Sequence, residues 1–159
     1  MSEDEAFRLV HMLSLFVLLA GVGSTMLPLY RTWNSSDVNA QVFAFREAGR
    51  NQAGILLPGV VLTGVTGLIW AISADHLDPV ETGWLLTVEL IYLVVLFVCI
   101  PAMAAGLRRA RLLALQSQKS GEISDELRET IADRGPLVFG TLLLILIVVM
   151  TALAVTKPY

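Results

Sequence analysis

An imidazole can ligate a metal or relay a proton, and inside an apolar run long enough to span a bilayer it is costly enough to call for a functional reading. His11 sits in such a run, residues 7 to 30, FRLVHMLSLFVLLAGVGSTMLPLY. At helical spacing Phe7, His11, Ser14, Leu18, Gly21 and Thr25 fall on one face, leaving Leu13, Phe16, Val17 and Leu19 for lipid or packing. His11 is therefore expected to point into a bundle. Glu89, in a later apolar run, shares a face with Tyr92, Leu96, Cys99 and Met103. It is expected at the same depth as His11, a few residues inside one membrane boundary, with Trp70 and Trp84 near that level. The layer of His11, Trp70, Trp84 and Glu89 is the candidate site. Its alternative is a histidine and a glutamate that hydrogen-bond each other between helices as polar glue.

Two further constellations compete for attention. In GVVLTGVTGLIW, Gly59, Thr63, Gly67 and Trp70 share a face flanked by Gly64 and Thr66. Small residues so spaced let helices approach closely in lipid, and equally leave room for a flat cofactor. The segment SADHLDPVETGW holds Asp75, His76, Asp78 and Glu81, four potential ligands of a divalent metal. Asp78, Pro79 and Glu81 also read as a helix start, with N-cap, N1 proline and acidic N3.

These residues need elements to hold them. The 159-residue chain is 55% hydrophobic and only 16% charged, against about 25% charged in a soluble domain. Four windows reach spanning length, about 8–30, 52–73, 84–106 and 136–156. The runs are continuously apolar rather than alternating, so the expected fold is all-α, a polytopic four-transmembrane-helix bundle forming one domain over residues 1–159. The acidic start and the lack of a small-residue cleavage motif after the first run imply that this span is retained. Nine of the eleven basic residues lie in the segments after the first and third spans, which predicts both termini on the outer side and those segments inside. A net charge of −3 gives no support for nucleic-acid binding. The single Cys99 excludes an intrachain disulfide.

Breaks and caps complete the outline. Ser2 with Glu5 fits a capping box, and Ser36 or Asp37 can cap a second helix whose apolar edge is Val38, Val42 and Phe45. Pro28 should free the Ser24 carbonyl, Pro58 that of Gly54, and Pro101 should kink the third span. Gly121 should break the helix that continues that span, and Ile123, Leu127 and Ile131 mark a short surface helix. Gly135 and Pro136 open the fourth span, which reads as scaffold.

The whole pattern resembles a group of small bacterial membrane proteins: an uncharacterised predicted integral membrane family, the HemJ-type protoporphyrinogen oxidases and the copper resistance D proteins. The resemblance rests on His11 followed at nine and ten residues by Ala20 and Gly21, the Thr-Gly-x-x-Gly of residues 63–67, Trp84 opening span three, and the closing Lys157-Pro158. Glu89 stands in the region where the oxidases carry a lysine, so the closer likeness is to the uncharacterised family. The resemblance implies a bacterial inner-membrane location and makes His11 a ligand to b-type haem. Ser14, Gly21, Thr63, Gly67, Trp70, Glu89 and Tyr92 would then line the haem site. Met12, Met26 and Met103 are the sulfur candidates for a second axial ligand. The competing functions are a non-catalytic membrane subunit or scaffold with a structural His11–Glu89 pair, and copper or proton handling at the outer face. The partners expected are the lipid bilayer, a redox partner, and a second copy or larger membrane complex, because four helices enclose little volume.

Overall fold

The computed structural model describes residues 3–73 and 81–157, with only the backbone of Gln118. The described chain is an all-α bundle with four long apolar helical stretches. The first is α1 (Glu3–Thr32). The second runs from α2 (Val38–Asn51) through a π-turn (Gln52–Leu56) into α3 (Leu57–Ser73). The third joins α4 (Gly83–Val94), a π-turn (Val95–Cys99) and α5 (Ile100–Ser120). After the short α6 (Asp125–Ala132), α7 (Gly135–Thr156) makes the last crossing.

Each π-turn ends two residues before an intramembrane proline, Pro58 in the second stretch and Pro101 in the third. A proline ring collides with the carbonyl four residues back and offers it no N–H. Widening the turn just upstream relieves that conflict without ending the helix, so the expected kinks take the form of π-turns. Pro28 is handled differently. The Ser24 carbonyl that it leaves without a helical partner accepts a hydrogen bond from Asn51 Nδ2 of α2 at 2.9 Å.

The seam between α1 and the second stretch is a close one. A Cβ built on Gly21 would stand 2.5 Å from Leu56 Cα, and one on Gly59 would stand 2.8 Å from Leu18 Cα. Contact runs in an antiparallel register: as numbers rise along α1 from Leu18 to Gly21, they fall one for one along the facing chain from Gly59 to Leu56. The same register puts His11 opposite Thr66 and Ser14 at the level of Thr63. Ser14, Leu18, Gly21 and Thr25 are buried as the helical spacing predicts, and Leu13, Phe16, Val17 and Leu19 are exposed to the membrane side. On the far side of the bundle α7 packs against α4, α5 and α1. Met26 and Met103 meet over Gly140, and Pro136 sits on Gly106.

Several boundaries depart from expectation. Helix α4 begins at Gly83 with Thr82 as N-cap residue, so Glu81 lies outside the helix and is not its N3. Asp75, His76, Asp78 and Pro79 fall outside the described residues, as do Ser2 of the capping box and Pro158. Asp37, not Ser36, caps α2 by accepting from the Asn39 N–H at 2.9 Å. Gly121 ends α5 with φ +75°, a conformation that a Cβ disfavours. Ser124 caps α6, whose buried face is Leu127 and Thr130. Ile123 precedes that helix and stays exposed, because the chain has not yet turned onto α5.

Candidate functional site

The end of the α1–α3 seam where α1 begins holds the polar cluster. Thr66 lies one residue before Gly67, and Gly67 offers a notch with no side chain of its own. The His11 imidazole fills it: a Cβ on Gly67 would meet Cε1 at 3.0 Å and Nδ1 at 3.3 Å. The ring lies 3.1 Å, through Nδ1, from Thr66 Oγ1, against the Thr63 backbone, and 5.9 Å from the Trp70 ring at a tilt of 35°. Trp70 in turn donates from Nε1 to Asp4 Oδ1 at 2.8 Å, which ties the start of α1 to α3 above the histidine.

Proton counting orients the imidazole. Ser14 Oγ donates to the His11 carbonyl at 2.7 Å and Thr66 Oγ1 to the Leu62 carbonyl at 2.7 Å. Each hydroxyl has one proton, and in the arrangement where Thr66 gives its proton to the Leu62 carbonyl, the shorter of its two backbone contacts, its oxygen accepts. A neutral His11 then donates from Nδ1 and carries its free lone pair on Nε2, which makes no side-chain hydrogen bond among the described residues. The Ser14 hydroxyl, 2.9 Å from Thr66 Oγ1, completes the cluster. Thr63 Oγ1, 9% exposed as a residue, is buried with no hydrogen-bond partner.

Tyr92 reaches the same side of α3 from α4. Its hydroxyl seats against Gly64 and donates to the Val60 carbonyl at 2.9 Å. Glu89, one turn nearer the start of α4, is half-buried and forms no hydrogen bond or ion pair with His11. The structural His11–Glu89 pair is therefore replaced by His11–Thr66: α1 packs along α3, so the histidine meets a hydroxyl of its immediate neighbour first.

Of the expected site residues, His11, Ser14, Thr63, Gly67 and Trp70 come together, Tyr92 meets α3 separately at Gly64 and Val60, and Trp84 and Gly21 stand apart. Trp84 is buried at the start of α4 with Lys157 Nζ 5.6 Å from its ring centroid. Gly21 is a packing position against Leu56. The stripe of small residues on α3 leaves no slot for a flat group, because protein fills it: the Leu18 backbone at Gly59, Tyr92 at Gly64 and His11 at Gly67. Met26 and Met103 place their sulfurs at Gly140, and Met12 is half exposed, so no methionine joins His11. No group of three or more His, Cys, Asp or Glu side chains converges among the described residues. Thr66 and Asp4 are the residues that sequence reasoning missed. Thr66 sits three residues from Thr63 on α3, and only the register with α1 singles it out.

The family model described as "Predicted integral membrane protein (DUF2269)" matches residues 5–158, and the chain belongs to that family. No curated protein and no solved structure matches the chain.

Proposed function

We propose, from membership in this membrane family and from the His11 cluster, that the protein uses His11 as an intramembrane ligand to b-type haem in a redox or haem-handling role. One observation carries the reading: Nδ1 lies 3.1 Å from Thr66 Oγ1, and in the tautomer that donates there the Nε2 lone pair is free. Metal-bound histidines are typically oriented in this way, with the other ring nitrogen hydrogen-bonded to a fixed acceptor. The residue that would hold the group is His11, through one imidazole nitrogen. Thr66 and Ser14 would fix the ring, Trp70 would flank it, and the unpartnered Thr63 hydroxyl beside it would be available to a bound group. Haem so held would supply one-electron transfer. The stripe of small residues on α3 is filled by Leu18, Tyr92 and His11, so it would not serve as a bed for the group. We place the His11 end outward and the basic end inward, across a bacterial inner membrane, on the bias of basic residues. A redox partner and a second copy complete the reading.

The test is an absorption spectrum of protein purified in detergent after expression with haem precursor, oxidised and dithionite-reduced. A Soret band near stoichiometry is expected, lost in His11→Ala and weakened about tenfold or more in occupancy by Thr66→Val, the usual scale of a lost orienting partner. Pigment retained in His11→Ala removes that residue from the site.

A colourless, monodisperse protein supports the second reading, a non-catalytic membrane subunit. That reading draws on the way the His11 and Tyr92 side chains clasp helices by filling the notches at Gly67 and Gly64. Copper or proton handling would show instead as metal uptake or proton flux sensitive to Glu89→Gln.

A further inference from the structure

A groove lies away from His11, at the opposite end of the bundle. It encloses about 690 Å³ along one face of α5, from Pro101 through Ala104, Ala105, Arg108, Arg109 and Leu112 to Gln116, with Glu126 of α6 on its wall. The spacing is helical, so the lining forms a continuous strip roughly 22 Å long at about 1.5 Å per residue. Its chemistry changes along its length: proline and two alanines make an apolar dent at one end, and two guanidinium groups follow.

The position of that change relative to the membrane is readable from packing. Gly106 is pressed against Pro136, the second residue of α7, so that a Cβ there would stand 2.6 Å from the proline ring. Gly106 thus lies level with the point where the last span begins. Pro101, Ala104 and Ala105 are on the bilayer side of that level, and Arg108 and Arg109 are just beyond it. Trp33, with Arg134 4.7 Å from its ring centroid, and Tyr30, bonded to Thr141 at 2.6 Å, mark the same boundary with aromatic residues. Arg108 has no ion-pair partner among the described residues, and Arg109 has only a long contact of 3.4 Å to Glu126, with both side chains mostly exposed. Such an exposed pair is weak and readily exchanged.

We propose that this groove is a binding site for one anionic phospholipid, with the phosphate held by Arg108 and Arg109 and an acyl chain laid over Ala104, Ala105 and Pro101. Charge complementarity selects an anionic lipid over a zwitterionic one, and the fork of a guanidinium suits phosphate oxygens. The dent left by the two alanines requires a chain as well as a headgroup, which separates the lipid from free phosphate. Glu126 sets an upper limit on headgroup charge by sharing Arg109.

Native mass spectrometry of the delipidated full chain in detergent tests this, with dioctanoyl phosphatidylglycerol, dioctanoyl phosphatidylcholine and inorganic phosphate as probes. The expected result is one tightly held phosphatidylglycerol, at least tenfold preferred over phosphatidylcholine and not displaced by phosphate at equal concentration. Arg108→Gln with Arg109→Gln should remove that preference. Arg50→Gln, at a basic position paired with Glu47 and outside the groove, should leave it intact. Ala105→Trp, which keeps both charges and fills the dent, should weaken phosphatidylglycerol about tenfold. Thermal melting of each variant reports folding separately. Equal binding of the two lipids, displacement by phosphate, loss in Arg50→Gln, or unchanged binding in a folded Ala105→Trp variant would each overturn the proposal.

Discussion

At the end of the bundle where α1 begins, the notch at Gly67 holds an imidazole pinned by Thr66 and tilted beside Trp70, whereas toward the opposite, basic end the notch at Gly140 holds the thioethers of Met26 and Met103. Both notches let a neighbouring side chain sit against bare backbone. The difference is in what can give way. A methionine has three rotatable bonds and adapts to a changed cavity. The histidine is fixed by a hydrogen bond and a ring contact, so its position is specified and hard to shift. Each end also keeps one buried threonine hydroxyl without a partner, Thr63 near His11 and Thr25 beside Met26. The contrast is between an end built to hold a group in one orientation and an end built only to pack.

The strongest way to test that contrast is at the seam both ends share. Gly21→Ala should cost about 3 kcal/mol, the upper range for overpacking, since the new methyl meets the Leu56 backbone rather than a movable side chain. Gly23→Ala has nothing within 4 Å and should be neutral or slightly stabilising. Equal unfolding midpoints in mixed micelles for the two variants would contradict the close approach of α1 and α3.

Next in size is the carbonyl left by Pro28. Asn51→Ala should cost about 2 kcal/mol by stranding the Ser24 carbonyl in an apolar setting. In a Pro28→Ala background the same change should cost well under half of that, because α1 then regains its own hydrogen bond. A double-mutant cycle with no coupling would mean that Asn51 serves some other purpose.

The two notches can then be set against each other directly. Gly67→Ala should cost about 2 kcal/mol because the imidazole cannot leave without breaking its bond to Thr66, and Gly140→Ala about 1 kcal/mol because two methionines can repack. The reverse order of melting temperatures would break the distinction between a pinned and an adaptable end.

The smallest effect is the most pointed. Thr25→Val, at a residue with 0% exposure and an unpartnered hydroxyl, should stabilise by about 1 kcal/mol, since removing a buried polar atom that bonds to nothing relieves its desolvation. Thr63→Val should do the same in colourless protein. If the His11 cluster holds a ligand through that hydroxyl, Thr63→Val should instead lower ligand occupancy.

Much of this architecture was legible in the chain. Spanning length and continuous hydrophobicity dictate four membrane helices, and the three intramembrane prolines announce where backbone bonds must be rearranged. The helical spacing around His11 correctly separates a buried face from a lipid face. The same spacing could not say what the buried face would touch. The depth expected for Glu89 and His11 from their places in the spans does not decide their pairing, because α1 packs along α3 and His11 meets Thr66 first. The small residues of α3 were as compatible with a cofactor bed as with packing, because absence of a side chain looks the same in sequence whichever way the space is used.

The amino-acid order by itself determined the element types, their lengths and the segregation of basic residues to one end, since these depend on local hydrogen bonding and on transfer between water and lipid. The tertiary structure alone decided that Thr66 orients His11, that Asn51 caps the break at Pro28, and that Arg108 and Arg109 stand at the mouth of an apolar groove. Each of these joins residues far apart in the chain or on different helices. Their meeting is set by the register and packing of whole helices, and no local periodicity carries that information.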